Sequence, residues 1–199
     1  MFTVRLERIR ELSASTKDFR FVREDGAPLD CKPGQFYRFI FTDVDGAFER
    51  SYSLCNFDGL GTDRLDLVVS EVKDGRATRL LFDSEPGLTA EVTGPFGRLL
   101  LPEPLPKRLV LVATSVGIAP YLPMLKALAE SLDAGSKVVL LFGVRDRSEF
   151  LYRDILLDYA KRYPGFDLRL CLSRENSMIE PYEYKGYVTN QLESLAPNP

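Results

Sequence analysis

The first hundred residues alternate. Phe2, Val4, Leu6 and Ile9 are separated mostly by polar neighbours, and residues 19–21, 36–41 and 65–72 keep a similar two-residue rhythm between Gly, Pro and Asp punctuation. Evenly spaced short strands of this kind predict an antiparallel barrel or sandwich. One helical stretch, residues 78–82, is expected directly after Asp74-Gly75.

The rhythm changes after Leu101-Pro102-Glu103-Pro104-Leu105-Pro106. Three prolines at alternate positions fit neither a central strand nor a helix interior, which places a boundary between domains at 1–103 and 107–199. Beyond it, strands and helices take turns. Residues 109–113 form an unbroken apolar run, expected of a strand buried on both faces. Tyr121, Met124, Leu125, Leu128 and Leu132 recur at helical spacing, and residues 137–142 read as a second buried strand. Asp146 with Glu149 suggests a capping box for a helix facing inward through Leu151, Ile155 and Tyr159. A third strand at 168–172 and a short helix at 188–195 follow. Such alternation predicts a parallel sheet with covering helices.

Composition narrows the chemistry. The 199 residues carry a net charge of −3 and a pI near 5.2, so nothing draws the chain globally to nucleic acid or anionic lipid. Neither a secretory leader nor an apolar span of membrane length is read in it. Cys31, Cys55 and Cys171 lie far apart, outside metal-like spacing; a reducing, cytoplasmic setting is expected and no metal site. There is no histidine. That removes the usual general base and turns attention to a cofactor that carries the chemistry itself.

Two stretches could hold anions. Strand 109–113 runs through Thr114-Ser115-Val116-Gly117 into a helix near Pro120, whose free N–H groups suit a pyrophosphate; an ordinary tight connection would look the same. The next two strands end in Arg145 and in Ser173-Arg174. Arginine there accommodates a ribose 2′-phosphate where an acidic residue would select NAD, although surface arginines are usually just solvated. In the first domain, alternation puts Arg50 and Tyr52 on one strand face and Ser51 and Ser53 on the other. Cation, flat ring and hydroxyl could together hold a phosphorylated aromatic group, or belong to a mixed edge strand.

At these residues a resemblance enters. Arg50-Ser51-Tyr52-Ser53 resembles the R-x-Y-S flavin motif of the ferredoxin–NADP reductase superfamily. Pro33-Gly34-Gln35-Phe36, Gly75-Arg76-Ala77-Thr78 and Gly94-Pro95-Phe96-Gly97 resemble its P-G-Q-F/Y, G-x-x-S/T and G-P-F-G segments, in order. Residues 111–125 are similar to its nucleotide-binding strand and helix, and Ser173-Arg174-Glu175 to its 2′-phosphate reader. The bacterial ferredoxin/flavodoxin–NADP reductases match best. Ser115 stands where the family commonly has glycine, and Tyr187 where close bacterial relatives often have a third arginine. The family's C-terminal C-G-x-P strand is not found, so the second domain is expected to be incomplete.

The resemblance implies a six-stranded antiparallel flavin-binding β-barrel followed by an α/β nucleotide-binding domain. Arg50 would bind a flavin phosphate, Tyr52 would pack on the isoalloxazine and Ser53 would bond near N5; these last two would be the catalytic residues. Gly75, Arg76, Ala77 and Thr78 would hold the FAD pyrophosphate. Thr114 and Gly117 would contact the NADP pyrophosphate, and Ser173, Arg174 and Arg145 its 2′-phosphate. The implied activity is electron transfer between NADP(H) and a carrier such as ferredoxin or flavodoxin through FAD, with a monomer sufficing. An electron-transfer subunit of a larger redox complex and a non-catalytic flavin-binding regulator are the competing readings.

Overall fold

The computed structural model describes residues 1–195. They divide into two compact units, residues 1–101 with 119–127, and residues 102–118 with the remainder from 128.

In the first unit, β1 (Phe2–Ser13), β2 (Thr16–Arg23), β3 (Phe36–Asp43), β4 (Gly46–Ser53), β5 (Arg64–Ser70) and β6 (Thr89–Phe96) form an antiparallel sheet in the order β4-β3-β6-β1-β2-β5. Every strand sends apolar side chains into one cluster: Val4 and Leu6, Phe19 and Phe21, Tyr37, Phe39 and Phe41, Leu65 and Leu67, Ala90 and Val92, with Phe48 and Tyr52 packed against it. A sheet whose strands all face one core must curl upon itself, as in a barrel. The two end strands of the order are joined by the residues just past β4. Cys55 N–H donates to the Asp66 carbonyl at 2.8 Å, Asn56 Oδ1 accepts from Asp66 N–H at 3.0 Å, and Asn56 Nδ2 donates to the Arg64 carbonyl at 3.0 Å. Asn56, 3% exposed, therefore supplies hydrogen bonds where the ladder would leave edges open. Helix α1 (Arg76–Phe82) adds Leu81 to the core.

β6 had no alternation clear enough to be predicted, because Gly94-Pro95-Phe96 reads as a turn although it ends the strand. Gly94 has φ +142, and a side chain there would meet the Tyr37 ring at 2.7 Å, so that ring's packing demands the glycine.

The second unit holds a parallel sheet of β7 (Arg108–Thr114), β8 (Lys137–Val144), β9 (Phe166–Leu172) and β10 (Glu183–Lys185), in the order β10-β9-β8-β7. A 3₁₀ turn (Ser115–Ile118) and α2 (Tyr121–Asp133) follow β7, α3 (Arg153–Arg162) links β8 to β9, and α4 (Val188–Leu195) ends the described chain. Val188 and Leu195 of α4 pack with Val110, Val112, Val139 and Leu141 of the sheet. β8 is buried through residues 138–142, as its apolar run predicts. β7 departs from expectation: Leu109, Val110 and Val112 are only half-buried, since among the described strands β7 pairs with β8 alone.

The capping-box expectation is also corrected. Asp146 caps a single 3₁₀ turn (Arg147–Glu149), accepting from Ser148 N–H at 3.0 Å, and α3 begins only after Tyr152, whose φ of 56 breaks the helical path. The inward face of α3 accordingly moves to Leu156 and Tyr159. No helix among the described residues is long and apolar enough to cross a membrane.

Phe39 is fully buried and touches Phe21, Phe41 and Tyr52 at ring-centroid distances of 5.4–5.8 Å. Phe39→Ala is expected to lower unfolding free energy by about 3–5 kcal/mol, read as a lower urea midpoint at unchanged slope. A loss below about 1 kcal/mol would show that this ring is not central to the core.

Candidate cofactor sites

The β3–β4 register pairs Phe41 with Phe48, Phe39 with Arg50 and Tyr37 with Tyr52. Residues paired across a ladder share a face, so Arg50 and Tyr52 extend the core-facing side of β4. Tyr52 meets Phe39 edge-on, and burial pushes its hydroxyl up to about 12, so the phenol stays neutral. Neither that hydroxyl nor the Ser53 hydroxyl has a hydrogen-bond partner among the described residues.

Arg50 lies over the Phe48 ring at 5.6 Å, and among the described residues its guanidinium bonds only to the neighbouring Glu49 carbonyl, at 2.7 Å. Arg76 covers the same ring at 4.3 Å. One aromatic thus gathers two cations from β4 and from the start of α1. Their charges are not equally available. Arg76 makes a two-pronged bond to Asp43 at 2.8 and 2.5 Å and another to the Gly46 carbonyl at 2.8 Å. That guanidinium holds the Asp43 carboxyl down at about 2. Of the Arg76 guanidinium, Nε and Nη2 are taken and its charge is paired. The first turn of α1 has no side-chain cap and no acidic residue, and Gly75 fits its start because a side chain would meet Thr78 Oγ1 at 2.8 Å.

In the second unit, Thr114, Gly143 and Cys171 are aligned across β7, β8 and β9, so the loops beyond them leave one edge of the sheet. Gly117 stands apart in the first of these loops. Of the fourteen glycines, ten have positive φ, and Gly75, Gly143 and Gly165 are crowded by neighbours. Gly117 alone combines ordinary φ with open space where a side chain would stand. Neither backbone nor packing requires glycine there; close approach of a phosphate would. Ser115, two residues earlier, has φ +47, the left-handed conformation that glycine adopts freely.

Arg145 and Arg174 sit at the ends of adjacent strands, linked by Arg174 N–H to the Arg145 carbonyl at 2.8 Å. Both are exposed, and neither guanidinium has a partner among the described residues. Ser173 is half-buried, with its hydroxyl 3.4 Å from the Val144 carbonyl. Arg147, two positions from Arg145, is the opposite case: Glu175 and Glu183 both hold it, a pairing that no local spacing announces. No cluster of His, Cys, Asp or Glu among the described residues is placed to hold a metal.

The first unit offers a free cation, a part-buried flat ring and an uncapped helix start; the second offers a loop open to phosphate and two free guanidiniums. These suit a phosphorylated flavin and a nicotinamide nucleotide respectively. Family models agree: residues 3–100 match the oxidoreductase FAD-binding domain and residues 111–198 the oxidoreductase NAD-binding domain. Ferredoxin–NADP reductase B of Sorangium cellulosum is 33% identical over 175 residues, 87% of this chain and 70% of that protein. The chain belongs to the ferredoxin–NADP reductase family.

As a member of that family it is an FAD- and NAD(P)-binding flavoprotein oxidoreductase. The toluate 1,2-dioxygenase electron transfer component of Pseudomonas putida is 26% identical over 94% of this chain, which spans 54% of that protein. Among solved structures, Amycolatopsis cytochrome P450 reductase GcoB superposes with a TM-score of 0.84 at 26% identity, over 98% of this chain and 58% of that one. A ferredoxin NADP⁺ reductase from Neisseria gonorrhoeae, solved with FAD and NADP bound, gives 0.78 at 24% identity over 96% of this chain and 75% of its own, a likeness of fold.

Two outcomes are expected. Gly117→Ala leaves thermal stability unchanged or slightly higher, because the site is open and the backbone ordinary, yet weakens NADP⁺ binding by about tenfold; a large drop in Tm would show the glycine to be structural. Asp43 has a lowered pKa, so its ion pair stabilises the fold above about pH 4 and that contribution is lost as pH falls toward 2. The Tm difference between the native chain and Asp43→Asn should shrink across that window and stay constant above it.

Proposed function

We propose that the chain is a reductase moving electrons between NADP(H) and a small one-electron carrier of the ferredoxin or flavodoxin class. One observation carries this reading. Arg50, Arg145 and Arg174 are left without a carboxylate while their neighbours Arg76 and Arg147 are neutralised. Isolated guanidiniums at a barrel strand and at two α/β strand ends suit a flavin phosphate and a ribose 2′-phosphate.

In this proposal residues 1–103 are the flavin domain and 107–199 the nucleotide domain, of which residues 196–199 lie outside those described. Arg50 holds a flavin phosphate, Tyr52 presents its neutral ring to the isoalloxazine, and Ser53 offers a hydroxyl to the flavin edge. The helix start at Gly75, Arg76, Ala77 and Thr78 receives the pyrophosphate through backbone N–H groups. Thr114 and Gly117 admit the nucleotide pyrophosphate, and Ser173, Arg174 and Arg145 select the 2′-phosphate. Bound FAD would supply the chemistry itself, accepting electrons as a hydride pair and releasing them singly. The protein groups align and hold; with no histidine, none is called on for acid–base work. Three cysteines outside any disulfide support residence in the cytoplasm.

Anaerobic titration of the purified protein with NADPH and then NADH, followed by absorbance, tests the proposal. Arg50→Ala should lose flavin, while Arg174→Ala should keep it and lower the kcat/KM ratio of NADPH to NADH by roughly ten- to a hundredfold. An unchanged ratio overturns the 2′-phosphate assignment.

A further inference from the structure

The loop bearing Ser173 and Arg174 runs from the end of β9 to β10 with neither helix nor strand of its own. A segment like that is ordered only by what ties it down. Backbone bonds from Ser173 and Arg174 hold its start, and one guanidinium supplies three further ties. Arg147 Nε and Nη2 donate to Glu183 at 2.7 and 2.6 Å, Nη2 also reaches the Ser177 carbonyl at 2.5 Å, and Nη1 stands 2.9 Å from Glu175. The Arg147 N–H adds a bond to Glu175 at 3.2 Å. Glu183, its side chain 2% exposed, accepts in addition from Ile179 N–H at 2.8 Å. The loop is therefore fastened near its beginning, middle and end to a residue that follows β8 by three positions.

Each nitrogen of the Arg147 guanidinium is engaged by the protein, so this residue is not itself poised to bind a phosphate. Its neighbours in the chain are. Arg174 immediately precedes Glu175, and its N–H is held by the Arg145 carbonyl. Without Arg147, the Glu175 and Glu183 carboxylates would lose their cation, and the stretch that follows Arg174 would lose three of its ties. We infer that Arg147 is a positioning residue for nucleotide selectivity: it fixes the 173–183 loop so that Arg174 and Arg145 form one anion seat, and it neutralises Glu175 and Glu183 beside that seat. The inference rests on the proposed 2′-phosphate role of Arg174 and Arg145. A lysine would keep the charge but could not reproduce a fork with donors in three directions.

Calorimetric titration of the flavin-loaded protein with 2′,5′-ADP and with 5′-AMP isolates this effect without turnover. Arg147→Lys should lower the preference for 2′,5′-ADP by about tenfold, with 5′-AMP affinity changed less than about twofold. If Arg147→Lys does not fold, Glu175→Gln, which removes one anchor and spares Glu183, should show a loss of about threefold. Arg174→Ala is the control. If it abolishes the preference while Arg147→Lys and Glu175→Gln keep the native ratio, the positioning role is overturned; if Arg174→Ala itself leaves the preference intact, the phosphate reading falls and takes this inference with it.

Discussion

An acidic chain that binds two polyanionic cofactors must keep its own carboxylates away from a few chosen arginines. That constraint organises this molecule. Each proposed site pairs a neutralised guanidinium with ones that have no carboxylate partner among the described residues: Arg76 with Arg50 in the barrel, and Arg147 with Arg145 and Arg174 in the α/β unit. The paired arginine has a structural task, stitching a hairpin to α1 or a loop to the sheet edge. In the proposed function its partner carboxylate is thereby prevented from competing with a phosphate for the free one. Charge-assisted hydrogen bonds strong enough to order a loop are strong enough to hold a ligand, so which arginine is left over matters more than how many there are.

The barrel serves the same end by holding β4 at a fixed place. Arg50 and Tyr52 can extend beyond the apolar core because Phe48 and Phe39 beneath them are packed, and because Asn56 secures the strand's far end to β5. In the proposed function the stretch from Arg50 to Asn56 thus combines two jobs, ligand-facing groups followed directly by the groups that close the sheet.

Much of this was legible in the residues. Alternation located β1, β2, β3 and β5, the prolines at 102, 104 and 106 marked the change of architecture, and apolar runs gave β7 and β8, while the three-residue β10 has no such signal. What escaped was whatever depends on distant partners. Asp43 and Arg76 are thirty-three residues apart and Arg147 and Glu183 thirty-six, so a sequence shows two charges and not their union. The apolar run in β7 announced burial, but period alone cannot count how many strands lie alongside. Asp146 looked like the start of a long helix because a cap is a local signal, and the left-handed Tyr152 that delays α3 has no such signature. The site residues were recognisable chiefly through motif resemblance; their availability became visible only when each guanidinium's neighbours were known.

Burial of Tyr52 and of the Cys171 thiol, which is pushed up to about 11, has a consequence for titration curves. With histidine missing altogether, the chain lacks the one side-chain type whose unperturbed charge change falls between about pH 5 and 8. An inflection in nucleotide affinity near pH 6 would then report the second ionisation of the ligand's own phosphate, making the bound nucleotide, and not its host, the proton-sensitive partner.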